Sequence, residues 1–297
     1  MKNTLILLAV SALSTIGIGA QEGRPPQASD GRTRDIYVSV LDSKGAAVTG
    51  LTAADFVVRE DGTTREVLRA TPATEPIDLV MLVDDSQAAT RAIPYLRDGL
   101  TRFVDQMQGK AAIGIVTVGE RPTSVVERTT DAAAVKKGVT RIFARPGSGA
   151  YLLEGIREVS RGMRNRESPR RIIVAITIES VEFSNAQYEQ VLDDLYASGA
   201  ALHVLAIGTP TGRMTDEIRN KNLVISQGTE ATGGRRDQLL SELAIPDALS
   251  KVAGELLNQY VVTYGRTDAL IPPEKVEVSV KKPGLTARAR TRLPSSK

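Results

Sequence analysis

The sequence predicts an α/β protein with a doubly wound, mostly parallel sheet and a small β-sandwich formed by strands from both ends of the chain. From residue 77 onward, β-rich apolar runs alternate with segments of helical periodicity, as expected for strands covered by helices on both faces. Before residue 75 and after residue 258, apolar and polar residues alternate, which predicts strands with one solvated face. Neither terminal segment is long enough to bury a core alone, so we expect them to share one sandwich.

The middle of the chain is predicted as one domain over residues 75–258. Its central strands are the runs IDLVMLV, AAIGIVTV, RIIVAITI and ALHVLAIG. Apolar residues recur at helical spacing between these runs, which predicts helices within residues 93–107, 152–163, 188–199 and 247–258.

The two ends of the chain are predicted to contain the strands of the sandwich. The N-terminal part, residues 35–74, includes DIYVSVLD and two strands about an Asp61-Gly62 turn. The C-terminal part, residues 259–297, includes QYVVTYG, KVEVSVKK and LTARARTRL. Three alternating arginines, Arg288, Arg290 and Arg292, are expected on one solvated strand face, with an acidic partner surface as the alternative.

Residues 1–20 have the features of a secretory signal peptide, with one lysine, an apolar run and a small residue before a polar stretch. The apolar run is about 15 residues, whereas a spanning helix needs roughly 20. We therefore expect cleavage before Gln21, a flexible leader over residues 21–34, and an exported protein without a membrane span, either periplasmic or secreted. The alternative is an uncleaved anchor.

Composition excludes several classes of chemistry. The chain has no cysteine, which excludes disulfides, a thiol nucleophile and cysteine metal ligands. Its single histidine, His203, lies in an apolar strand and is expected in the core, so histidine-based triads and metal sites lack support. The formal net charge of +3 and the lack of aromatic residues around the arginine row argue against nucleic-acid binding.

Four stretches, in order along the chain, carry a family resemblance. They are VSVLDSKGAAVTGLTAADFVVREDG, LVDDSQA, ATGGR and LLNQYVVTYG. With these stretches the chain resembles the von Willebrand factor A domain family, and within it exported bacterial proteins that flank this domain with β-strands. The resemblance implies the doubly wound fold and a metal-ion-dependent adhesion site at the end of the first central strand.

The resemblance also implies which residues would hold the ion. The family motif is DxSxS, with a threonine from a second loop and an aspartate from a third. Asp84 and Ser86 match the first two positions, whereas Ala88, Ala150 and Ile178 replace the other three ligands. Because Mg²⁺ requires six oxygen ligands, we expect a remnant site that is mostly empty, and no cofactor.

Two alternatives use the same carboxylates. In the first, Asp84, Asp85 and Glu179 bind Mg²⁺ or Ca²⁺ weakly with the help of backbone carbonyls, as in a metal-dependent adhesion protein. In the second, Asp84 and Asp85 act as general acid and base in a hydrolase. Solvated loop carboxylates without a catalytic role are the commoner case, and we expect Asp84 and Asp85 to be of this kind.

The sequence therefore predicts a non-enzymatic module that binds an unidentified protein through the loops 85–92, 145–151 and 178–184. Nucleic acid is not expected as a partner. The polar residues expected to contact the partner are Asp85, Gln87, Arg145, Ser148, Tyr151 and Glu179.

Overall fold

A computed structural model describes residues 33–210, 215–266 and 273–293. The predicted signal peptide and nearly all of the predicted leader lie outside these residues. The first strand begins at Thr33 and so includes the last two residues of the predicted leader. Among the described residues, no helix combines the length and apolar character that crossing a bilayer requires.

Thirteen strands and six helices form the described part of the chain. The strands are β1 (Thr33–Leu41), β2 (Phe56–Glu60), β3 (Thr63–Arg65), β4 (Val67–Pro72), β5 (Ile77–Val83), β6 (Ala111–Thr117), β7 (Thr123–Thr129), β8 (Arg170–Ile178), β9 (Ala201–Ile207), β10 (Arg236–Leu239), β11 (Tyr260–Gly265), β12 (Val276–Val280) and β13 (Thr286–Ala289). The helices are α1 (Ile93–Met107), α2 (Ala132–Val139), α3 (Leu152–Met163), α4 (Tyr188–Ser198), α5 (Asp216–Thr232) and α6 (Ile245–Leu257).

The central sheet has the order β10-β9-β8-β5-β6-β7. All neighbouring strands are parallel except β7, which pairs antiparallel with β6 at one edge. The predicted fold class is confirmed. Two helices, α2 and α5, and two edge strands, β7 and β10, were not predicted from the sequence.

The two faces of the central sheet are covered by different helices. Because side chains alternate along a strand, Leu79 and Met81 of β5 face a core with α1 and α6, whereas Val80 and Leu82 face α3, α4 and α5. All four side chains are buried. Coverage on both faces explains why the central strands are apolar almost without interruption.

The β-sandwich contains strands from both ends of the chain. One sheet has the order β13-β1-β11-β4, and the other has the order β12-β2-β3. Val38, Phe56, Tyr264 and Val276 contribute to the buried cluster between the two sheets. The strand β1 lies between β11 and β13, so both of its neighbours come from the C-terminal part of the chain.

Two of the three alternating arginines near the C-terminus, Arg288 and Arg290, do not lie on a solvated face, so that expectation was wrong for them, whereas Arg292 is exposed. Arg288 donates a hydrogen bond to the carboxylate of Glu255 on α6, and Arg290 donates one to the carbonyl oxygen of Ala200. The guanidinium of Arg292 lies 4.8 Å from the ring centre of Tyr196 on α4. Arg288 and Arg290 thus reach the α/β unit, since their partners lie on α6 and directly before β9.

Candidate functional site

The candidate site lies at the carboxyl end of β5. This strand pairs with β6 on one side and with β8 on the other, so the chain order reverses across it. In such a sheet, ligands bind in the crevice beyond the strand ends at this point. Asp84, Asp85 and Ser86 follow β5 directly and therefore lie at the predicted position.

Asp84 is fully buried and connects two loops. Its Oδ1 accepts a hydrogen bond from the backbone amide of Ser86 at 2.9 Å, and its Oδ2 accepts one from the amide of Ile178 at 3.0 Å. Burial raises the pKa of Asp84, and the two amide donors act in the opposite direction. Oδ1 thus orders the loop after β5, and Oδ2 holds this loop against the end of β8.

Asp85 is also buried, at 3% exposure, and forms an ion pair with Arg145. Its Oδ1 accepts a hydrogen bond from the amide of Gly119 at 2.6 Å, and its Oδ2 accepts one from Nε of Arg145 at 2.8 Å. The hydrogen bond to Asp85 raises the pKa of Arg145. The expectation that both aspartates are solvated was wrong, because amide and guanidinium donors compensate for their burial.

A glycine makes this close contact between strand ends feasible. A Cβ atom at Gly119 would lie 2.5 Å from Oδ1 of Asp85 and 2.8 Å from its carbonyl carbon. A side chain at this position would displace the Asp85 carboxylate and break its hydrogen bond with the backbone amide of residue 119. The loop after β6 is therefore fixed against the loop after β5.

Besides Arg145, whose side chain is 35% exposed, three of the residues predicted to contact a partner lie at or near the surface. Gln87 is exposed, and its Oε1 accepts a hydrogen bond from the amide of Gly147 at 2.8 Å. Ser148 is half-buried and donates a hydrogen bond to the carbonyl oxygen of Arg145. Tyr151 is half-buried, with its ring centre 6.1 Å from that of Phe183. The loops 85–92 and 145–151 thus form one hydrogen-bonded surface.

Glu179 does not extend into solvent. Its carboxylate lies 3.3 Å from Nζ of Lys221 on α5, and the two side chains are 9% and 3% exposed. The ion pair holds the end of β8 against α5. Glu179 is thereby separated from the carboxylates of Asp84 and Asp85, which have other partners.

The loops that correspond to the family's metal site contain few oxygen donors. Ala88, Ala150 and Ile178 have hydrocarbon side chains at the three positions where the motif places ligands. Within residues 33–210, 215–266 and 273–293, no group of three or more His, Cys, Asp or Glu side chains could hold a metal ion.

Comparison with known proteins identifies the domain. Residues 79–178 match the von Willebrand factor type A domain family. The chain contains a von Willebrand factor type A domain. No curated protein matches the sequence significantly.

Solved structures with the same fold include proximal thread matrix protein 1 from the mussel byssus, with 12% identity and a TM-score of 0.52. That match covers 66% of this chain and 50% of the mussel protein, so the chain spans about half the length of that protein. A von Willebrand factor type A protein from Catenulispora acidiphila has 11% identity and a TM-score of 0.49. The match covers 89% of this chain and 73% of that protein. BatB from Bacteroides thetaiotaomicron has 14% identity and a TM-score of 0.47, and the match covers 61% of this chain and 98% of BatB. At 12% identity the likeness to the mussel protein concerns the fold alone.

The von Willebrand A domain also exposes large apolar side chains that were not predicted as site residues. We define the rim as residues 84–92, 142–151, 178–184 and 240–244, the loops beyond the carboxyl ends of the parallel strands. Five rim side chains are at least half exposed, namely Phe143, Val181, Phe183, Leu240 and Leu243. The sequence signal for Val181 and Phe183 is two large apolar residues among polar ones in the loop segment VEFSN, which periodicity does not detect.

Two other buried ionisable groups of the von Willebrand A domain have strongly shifted pKa values. Glu182, which accepts a hydrogen bond from Ser184, has a pKa raised to about 7 by burial. His203 is fully buried, and burial lowers its pKa to about 4. The predicted core position of His203 is confirmed.

Proposed function

We propose that this chain is an exported, non-enzymatic module that binds a protein partner through the rim of its von Willebrand A domain, without a bridging metal ion. The observation that carries the proposal is the position of the exposed apolar side chains. Of the large hydrophobic residues that are exposed within the described parts of the chain, only Leu68 lies outside the rim. Apolar groups concentrated on one exposed surface are typical of protein interaction sites.

The arrangement of oxygen donors supports binding without an ion. Mg²⁺ requires about six oxygen ligands in near-octahedral geometry. Both carboxylate oxygens of Asp84 already accept amide hydrogen bonds, and the family's other ligand positions have alanine or isoleucine side chains. These residues do not fit a divalent cation, and we infer that the adhesion site is degenerate.

The same contacts argue against hydrolysis by the adjacent aspartates. A general acid or base must reach the substrate within hydrogen-bond distance. Asp84 and Asp85 are buried, and their oxygens are held by amides and by Arg145. His203, the only histidine, is buried in a strand. These positions support a binding role and leave none of the three side chains free to act on a substrate.

Export is inferred from residues 1–20 alone. Mass spectrometry of the protein isolated from its own cells should give an N-terminus at Gln21. A retained Met1 would contradict export through a cleaved signal peptide.

Capture experiments with the full chain test the proposed binding surface. Immobilised wild-type protein and a Phe143→Ser/Leu240→Ser variant are incubated with native envelope extract, with and without EDTA. Leu68→Ser is the matched control, because Leu68 is 49% exposed but lies on β4, outside the rim. We expect wild type and control to retain the same partner, with no effect of EDTA, and the rim variant to lose it.

Two outcomes would contradict this proposal. Loss of the partner in EDTA would support metal-dependent adhesion. Equal capture by the rim variant, with the folding of all three proteins checked by thermal unfolding, would show that the partner binds elsewhere.

A further inference from the structure

A cavity of about 360 Å³ lies between the β-sandwich and the amino-terminal edge of the central sheet. Its walls come from the start of β1, the start of β8, the end of α5 and the segment after β13. This position is opposite to the rim, because the parallel strands begin here and end at the rim. The cavity is therefore independent of the proposed partner-binding surface.

Four arginines line this cavity: Arg34, Arg170, Arg171 and Arg290. Three of them have a buried guanidinium nitrogen without a hydrogen-bond partner, namely Nη1 of Arg34 and Nε of both Arg170 and Arg171. The fourth, Arg290, donates to the carbonyl oxygen of Ala200 at 3.4 Å, which is a long contact. Buried donors normally have partners, so these groups require an explanation.

The positive charges in the cavity are incompletely neutralised. The pKa of Arg290 is lowered to about 10, chiefly by burial and also by Arg171 and Arg34, which repel its charge. Asp35 is the carboxylate among the lining residues, and it accepts a hydrogen bond from Thr263. Glu75 is also close to Arg170, to which it offers its backbone carbonyl at 2.9 Å. Asp78, outside the lining, also acts on the charge of Arg171 but forms its own ion pairs with Arg128 and Arg166. Asp35 is thus the single carboxylate among the lining residues, against four guanidinium groups.

We propose that this cavity binds a small anion that carries phosphate or carboxylate groups. The guanidinium fork matches both of these groups through paired hydrogen bonds. An anion would supply acceptors for the unpartnered nitrogens and would offset the cost of burying like charges together. The volume is within the range of sites for small molecules.

The remaining lining residues indicate that the ligand also has an apolar part. Ile36, Pro169, Ile172 and Leu293 contribute hydrocarbon surface to the wall. The guanidinium carbon of Arg170 lies 5.5 Å from the ring centre of Tyr37, which also lines the cavity. A phosphate ester or a polycarboxylate with a compact hydrocarbon body fits these walls.

Calorimetric titration of the full chain with inorganic pyrophosphate and with citrate, at constant ionic strength, tests the proposal. The first probe represents phosphate chemistry and the second represents carboxylate chemistry. We expect at least one of them to bind with a dissociation constant below about 1 mM and to raise the unfolding temperature, because the ligand contacts both parts of the fold. No binding of either probe at about 10 mM would overturn the proposal.

Two arginine variants make the test specific. Arg290→Met removes a lining charge and should weaken binding at least about tenfold. Arg292→Met is the matched control, since this exposed arginine is two residues further along and lies against Tyr196 instead of the cavity. We expect the control to bind like wild type.

The variants must remain folded for this comparison. Without the anion, Arg290→Met should be as stable as wild type or more stable, because it removes a buried charge that lacks a carboxylate partner. Arg171→Met provides a second lining variant if the first does not fold. Wild-type affinity in a folded lining variant would overturn the proposed site.

Discussion

The carboxylate of Glu255 on α6 lies 2.7 Å from Nη2 of Arg288 on β13. The same oxygen, Oε2, lies 3.2 Å from Nη1 of Arg235. The side chain of Glu255 has no solvent exposure. One buried carboxylate thus joins the last helix of the α/β unit to the last strand of the β-sandwich.

Replacement of this carboxylate should destabilise the chain. Glu255→Gln leaves Arg288 without its counter-charge and removes one of the two carboxylates that pair with Arg235, the other being Asp237. Removing one partner of a buried ion pair typically costs about 3–5 kcal/mol. Urea unfolding should show a decrease of this order in the free energy of unfolding. Glu277→Gln, at an exposed position on β12, is the control and should change it by less than about 0.5 kcal/mol. Equal stability of the two variants would contradict the assigned role of Glu255.

The pair formed by Asp85 and Arg145 should contribute to the stability of the rim. Arg145→Met leaves a buried carboxylate oxygen without its charged donor, and the expected loss is about 1–3 kcal/mol. A double-mutant cycle with Asp85→Asn should give a coupling energy of about 1 kcal/mol or more. Arg121→Met, at an exposed position in the same region, is the control. Additive effects of the two substitutions would show that the pair does not act as a unit.

Glu182 should make the stability depend on pH. Burial raises its pKa from 4.5 to about 7, so the folded chain binds this proton more tightly than the unfolded chain does. Protonation of Glu182 therefore contributes at most about 3 kcal/mol to the free energy of unfolding. This contribution is fully present below about pH 4.5 and is lost as the pH rises to about 7. Chemical unfolding between pH 4.5 and 8 measures this change.

Glu182→Gln should flatten that pH profile, because the amide does not titrate. The exposed Glu158 on α3 gives a control variant, Glu158→Gln, which should keep the wild-type profile. If Glu182→Gln has the same pH dependence as wild type, another group is responsible.

Removal of divalent ions should leave the stability unchanged. A site occupied at about ten times its dissociation constant would add roughly 1.4 kcal/mol and raise the unfolding temperature by several degrees. We expect a difference below about 1 °C between EDTA and about 10 mM Mg²⁺ or Ca²⁺. A larger increase that disappears in Asp84→Ala would establish an ion site at this residue.

The sequence predicted the fold where apolar periodicity is strong, as in β5 and β8. It missed α5 and β10 because their residues do not follow a simple apolar pattern. In α5, Asn220 and Lys221 are buried although they are polar, and Lys221 is paired with Glu179. Burial by ion pairing is a tertiary effect, and sequence patterns carry little information on it.

The candidate site was predicted only in part, for a related reason. The resemblance placed Asp84 and Ser86 at the end of the first central strand. In the structure both residues directly follow β5. The partner of Asp85, however, is Arg145, which is 60 residues away in the sequence. The arginines of the cavity likewise come from three distant segments, so no local motif marks them.

The position of β1 between β11 and β13 has a consequence for how the chain matures. Both edges of the first strand stay unpaired until residues near 260 and 290 have been synthesised. Unpaired strand edges promote association between chains. A nascent or prematurely terminated molecule therefore exposes an N-terminal strand that can pair with another chain. Closure of the sandwich must therefore be a late event in folding, and chaperone protection of the early strand would matter most before it.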